Sequence, residues 1–276
     1  MNRKKYFLCC VVLLGLASCS DQLLDRELMK VERPVNQVVD EYHYYLEKAR
    51  WGDGEACMKL ADYYRQGIYV KSDFISMSVM LLMAEQYSGK KMMYDYLNSL
   101  PQEDHYRLLF ESLDCYDMGR TDVVLENAEK IISIGSPDGY ILKGLVSVDQ
   151  GNKAAGLESI TYGAEQGSTL GKLMICMFPS LSGTGDYSNL KKLEQLAEDH
   201  PIAYRVLGDI YAGMVCDSIF DEELAVDYYR KSEEHGFLGK RGADTMLKLI
   251  NDVGAQPKDP DEIYKLKILS GIREGD

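Results

Sequence analysis

Histidine is the first residue type to weigh for metal or acid–base chemistry, and the 276-residue chain has four: His43, His105, His200 and His235. They are scattered, and none stands in the HExxH or HxxxH spacing that places two imidazoles on one helical face. The densest cluster is Asp40, His43 and Glu47, whose i, i+3, i+7 spacing puts three metal-ligating types on one side of a helix. Three mixed residues on one helix seldom complete a coordination sphere, and a solvated ion-pair face accounts for them more simply. Ser182-Gly183-Thr184-Gly185-Asp186 is glycine-dense, but it follows no strand pattern and lacks both a third glycine and a P-loop lysine. It reads as a connection between helices. No GxSxG elbow or Cys/His pair stands out, and acidic side chains are too abundant for a carboxylate pair to carry information. The residues therefore predict no catalytic group, no cofactor and no resident metal.

The amino terminus carries a different chemistry. Arg3, Lys4 and Lys5 precede a ten-residue apolar stretch from Phe7 to Leu16, half of the roughly 20 residues a membrane-spanning helix needs. Residues 1–18 read as a signal peptide. The stretch closes with Leu16-Ala17-Ser18-Cys19, which resembles the lipobox of bacterial lipoproteins. That resemblance implies diacylglyceryl transfer to the Cys19 sulfur, cleavage before Cys19 and acylation of the new amino terminus. Several acyl chains exceed the two-signal threshold for stable anchoring, so the chain is expected to sit on a membrane without spanning it. Ser20 rather than aspartate follows the cysteine, which by analogy with Gram-negative sorting favours the outer membrane. Residues 19–35 are expected to tether the lipid to the body.

Removal of residues 1–18 takes away three basic and no acidic side chains, leaving 28 Lys and Arg against 44 Asp and Glu, a formal charge of −16. Such a surface repels phosphate backbones and steers cationic segments toward itself, so no nucleic-acid partner is expected. Besides Cys19, the mature chain keeps Cys57, Cys115, Cys176 and Cys216. There is no CxxC, and the first three lie in helical patterns where a thiol behaves as a small hydrophobe. They read as core residues, with a disulfide left open.

The elements that must carry any site are helices. Apolar and small residues recur at helical spacing from near Val35 almost to the end, with glycine or proline every 12 to 20 residues and no alternating strand pattern, so residues 36–276 read as the helical body. Leu60-Ala61-Asp62-Tyr63-Tyr64-Arg65-Gln66-Gly67 returns as Leu207-Gly208-Asp209-Ile210-Tyr211-Ala212-Gly213, with Ala56 and Ala203 four positions upstream. Asp73, Ala84, Asp221, Ala225, Tyr228, Tyr229 and Gly236 extend the two matches. The pattern resembles Sel1-like repeats, relatives of tetratricopeptide repeats, over about residues 37–250. The resemblance implies an all-α solenoid of stacked helix-turn-helix units, whose product is a surface rather than a reaction. Unit ends fall near residues 52, 89, 135, 167, 199 and 236, and Met92–Leu100 reads as an extra or broken helix.

In the tetratricopeptide relatives the groove is lined from the first helices of the pairs. The matching positions here resemble Met58, Asp62 and Arg65 in one repeat, Phe110, Asp114 and Asp117 in another, and Arg205 and Asp209 in the last. An acidic groove is expected, receiving a basic extended segment of another protein with Phe110 as apolar anchor. The plainer alternative is a solvated helix face on which Asp62 pairs with Arg65 and Arg205 with Asp209. The function expected is that of a membrane-anchored protein-interaction scaffold of the bacterial envelope, not an enzyme. Binding of cell-wall glycan or carbohydrate, through the twenty tyrosines, is the alternative, although most of these tyrosines are expected at core positions. An enzyme with a site between repeats is the third reading.

Overall fold

The computed structural model describes residues 40–181, 188–214, 219–253 and 257–272. The expectations for the signal peptide, Cys19, the tether, the Ser182–Asp186 loop and Cys216 lie outside the described residues. Fourteen α-helices account for most of the rest: α1 Glu41–Arg50, α2 Gly54–Gln66, α3 Phe74–Ser88, α4 Met93–Ser99, α5 His105–Asp117, α6 Thr121–Ser133 and α7 Asp138–Asp149, followed by α8 Lys153–Glu165, α9 Thr169–Leu181, α10 Ser188–Asp199, α11 Ile202–Tyr211, α12 Glu222–Glu234, α13 Gly239–Val253 and α14 Glu262–Ser270. No strand occurs among the described residues, where a single antiparallel bridge joins Ala212 and Phe220. The fold is an all-α solenoid of helical repeats in which successive helices pack against their neighbours. The short α4 is the extra helix anticipated between the first two repeats.

Aspartates start several of these helices because their side chains accept the orphan N–H groups of the first turn. Asp53 accepts from Ala56 N–H at 3.0 Å, Asp73 from Ile75 N–H at 3.1 Å, Asp104 from Tyr106 N–H at 3.0 Å and Asp221 from Leu224 N–H at 3.0 Å. Each cap contributes about 1 kcal/mol. At the other end, Gly67 and Gly89 take left-handed φ values of 70° and 67°, and their N–H groups close onto Tyr63 and Glu85 carbonyls. Five of the six expected unit ends (52, 89, 135, 167 and 236) are left-handed glycines; the sixth lies just before Pro201.

Two compact units share the chain. One spans residues 94–200; the other combines 40–93 with 201–272. Within the first, α5, α7 and α9 are each the leading helix of a pair, and α7 also neighbours both α5 and α9. Small residues let these helices approach closely. A Cβ built on Gly144 of α7 would stand 2.5 Å from the Ile160 side chain and 2.7 Å from the Gly156 carbonyl of α8, so glycine is the residue that fits.

In the second unit the opening helices α1–α3 meet the closing helices α11–α14. Tyr64 of α2 and Phe237, after α12, pack ring to ring at 5.7 Å. A Cβ on Gly236 would stand 2.8 Å from Leu46 of α1, and α13 touches α3. The two repeats that match best in sequence thus share one core, which includes the fully buried Leu60, Ala61, Leu207 and Tyr229. Gly144→Ala is expected to destabilise the first unit by about 1–3 kcal/mol through overpacking. Thermal denaturation showing an unchanged midpoint would refute that helix contact.

Candidate interaction surface

Helix α5 carries the most open of the expected groove residues. Asp104 caps it, and Arg107 of its first turn donates from Nη1 to the Leu100 carbonyl at 2.9 Å and from Nε to Glu111 at 2.8 Å, which fixes the helix against the chain entering it. Phe110, Asp114 and Asp117 follow at i, i+4 and i+7 on one face. Phe110 is half-buried and meets the edge of the exposed Tyr94 ring at 5.8 Å. Asp114 and Asp117 are exposed, and neither forms a salt bridge among the described residues. Met118, at the end of the helix, is 66% exposed. Two unpaired carboxylates beside an aromatic pair and a thioether form a patch that can hold a cationic, partly apolar chain.

The other two sets behave differently. Met58, Asp62 and Arg65 of α2 are all half-buried, and Arg65 Nε lies 3.8 Å from Asp62 Oδ1, the self-satisfied pairing that helical spacing allows. Arg205 and Asp209 of α11 are not surface residues: they are 8% and 6% exposed. Asp209 Oδ1 accepts from Arg205 Nε at 3.0 Å and from the Tyr229 hydroxyl at 2.8 Å, and Arg205 Nη1 donates to the Leu238 carbonyl. Burial and the Asp209 charge together push the Tyr229 phenol well above its ordinary range. The recurrence of aspartate at positions 62, 114 and 209 therefore does not mark one solvent-facing row. The last member holds a buried cation between α11, α12 and the start of α13.

A second polar cluster ties together three chain segments. Arg50 of α1 bonds Glu233 of α12 in bidentate fashion, Nε to Oε1 and Nη2 to Oε2, both at 3.0 Å. Lys265 of α14 meets the same carboxylate. Burial alone would raise the Glu233 carboxyl, but the hydrogen bonds and positive charges of Arg50 and Lys265 hold it below the usual carboxylate range.

Asp40, His43 and Glu47 do not converge. Asp40 caps α1 and bonds His43 Nδ1 at 2.8 Å, while Glu47 turns to Arg50. No group of three metal-ligating residues occurs among the described residues. No helix among them is long and apolar enough to cross a membrane. Cys57, Cys115 and Cys176 are unpaired; Cys57 and Cys176 are buried, whereas Cys115 is half-buried.

The tyrosines are less buried than expected. Tyr63, Tyr64, Tyr87, Tyr106, Tyr228 and Tyr229 are in the core, and the other described ones are half-buried or exposed. Four rings form a ladder between α11 and α12. Tyr211 stacks on Tyr228 at 5.5 Å, Tyr228 on Tyr204 at 6.4 Å and Tyr204 on His235 at 5.8 Å, all within 22° of parallel. Lys231 lies over Tyr204 and Tyr228. Sequence reasoning passed over this ladder, although Tyr204 with Tyr211 and Tyr228 with His235 each stand i, i+7. Tyr94 was likewise hidden, in the segment read as a broken helix.

Comparison of the chain with protein-family models, with curated proteins and with solved structures gives no match. The surface must be argued from its own geometry.

Removing Arg205 leaves the Asp209 carboxylate buried without its cation, so Arg205→Ala is expected to cost about 3–5 kcal/mol, measurable by urea denaturation. For Glu233, whose folded pKa is depressed, the stabilisation is present above the ordinary carboxylate pKa and is lost as pH falls through the folded one. Denaturation at pH 7 and in the acidic range should show that loss, and Arg50→Ala should flatten it.

Proposed function

We propose that the protein is an envelope lipoprotein of a Gram-negative bacterium, anchored through lipid on Cys19 at the outer membrane, whose helical repeats serve as a protein-interaction scaffold. The Sel1-like resemblance and the repeat architecture support this reading. The observation that carries it is the α5 face, where Asp114 and Asp117 stand exposed and unpaired beside the Tyr94–Phe110 pair. The partner is a protein segment that is extended, basic and provided with one apolar side chain to lie against Phe110. The chain's acidic excess steers such a segment to the face and repels nucleic acid. No catalytic role and no cofactor enter this reading.

The ladder of Tyr211, Tyr228, Tyr204 and His235 favours carbohydrate binding as the second reading, since the half-buried Tyr204, Tyr211 and His235 beside the buried Tyr228 offer aromatic surface against which a sugar can pack. Crosslinking in intact cells followed by affinity recovery separates the two. The Phe110→Ala/Asp114→Lys/Asp117→Lys variant is expected to lose a protein partner that the wild type retains. A lysine-rich peptide with a single leucine should bind the variant at least about tenfold more weakly than the wild type, and more weakly in high salt. Equal recovery and equal affinity would remove the α5 face from the account; recovery of glycan with no protein, abolished by Tyr204→Ala, would establish the second reading.

A further inference from the structure

Helix α14 is nine residues long, below the roughly 12–15 residues at which an isolated helix becomes even marginally stable in water. Leu266 and Leu269 are its only apolar side chains in the core. Ile263 and Ile268 are half-buried, and the helix packs against α13. Charge pairs add to that hold. Arg230 of α12 grips Glu262 with two parallel bonds, Nε to Oε1 at 2.8 Å and Nη2 to Oε2 at 3.1 Å. Three residues on in each helix the signs are reversed, and Glu233 of α12 meets Lys265 of α14. Lys258, just ahead of α14, meets Glu234. Shifting α14 along α12 by three residues would set Glu262 against Glu233, so these charges define one register as well as an attraction. The helix also covers part of the α1 end, where Lys265 Nζ lies 5.1 Å from the ring centroid of Trp51, the only tryptophan of the chain.

We propose that α14 is a charge-registered latch: it undocks from α12 and from α13, against which it packs, while the rest of its unit stays folded, and undocking uncovers Trp51 and the Arg230–Glu233 side of α12. The elements beneath it do not depend on it for their own core. Helices α11 and α12 are joined by the Arg205–Asp209–Tyr229 cluster, α13 packs on α12 and touches α3, and α1 is joined to α12 by Arg50 and Glu233. Small local opening energies belong to segments with few buried apolar contacts and a large share of polar ones. Of these pairs only the exposed Lys258–Glu234 is open to screening by salt; Arg230–Glu262 and Glu233–Lys265 are largely shielded from it.

The test uses the full chain, amide hydrogen exchange and Trp51 fluorescence. In the wild type, residues 262–270 are expected to exchange faster than α11, α12 and α13, with the Trp51 emission shifting to the red as α14 opens. Arg230→Glu sets like charges against Glu262 and should speed exchange over 262–270 by on the order of tenfold, leaving α11 and α12 unchanged. The swapped pair Arg230→Glu/Glu262→Arg should restore both signals. Exchange of 262–270 only together with α12, loss of the whole unit in Arg230→Glu, or failure of the swapped pair to restore the signals would each overturn the latch.

Discussion

The carboxylate of Glu233 is the point on which the second unit turns. It is largely out of water and is met by Arg50, 183 positions earlier in the chain, and by Lys265 from the C-terminal helix. A buried charge is tolerated only when it stays partnered: the bidentate bond from Arg50 of α1 partners this one, and Lys265 of α14 adds a second cation. The aromatic contact of Tyr64 with Phe237 and the close seat of Leu46 at Gly236 place the apolar part of the same junction beside it. The opening and closing repeats are therefore a single core. The helices between them, residues 94–200, pack by local succession, with glycines admitting backbone to backbone.

Much of the fold was legible in the sequence because helix punctuation is a local matter. Asp73 and Asp221 were visible as recurring aspartates and prove to be helix caps, while Gly52, Gly89, Gly135, Gly167 and Gly236 were visible as unit ends and prove to be left-handed turns. What was not legible is non-local. Nothing in the neighbourhood of Arg50 indicates Glu233, and α14 escaped notice because Lys265 and Lys267 interrupt the apolar spacing of a segment only nine residues long. Lys265 is in fact a core-facing residue whose charge is met by Glu233.

The candidate surface shows the same division. The resemblance placed Asp62, Asp114 and Asp209 at one position of a repeating helix. Burial separates them: Asp62 lies beside Arg65, Asp209 is buried under Tyr229 and Arg205, and Asp114 remains in water. A repeat whose edges are covered by other helices converts its groove positions into structural ones. An accessible first helix such as α5 keeps them in water.

The most direct measurement is a double-mutant cycle on Arg50→Ala and Glu233→Ala, following urea denaturation through the fluorescence of Trp51, which follows Arg50 and lies under Lys265. The account predicts a coupling energy of about 1–3 kcal/mol between two positions that far apart in sequence. Additive effects, with no coupling beyond error, would mean that the opening and closing repeats are not joined through this pair.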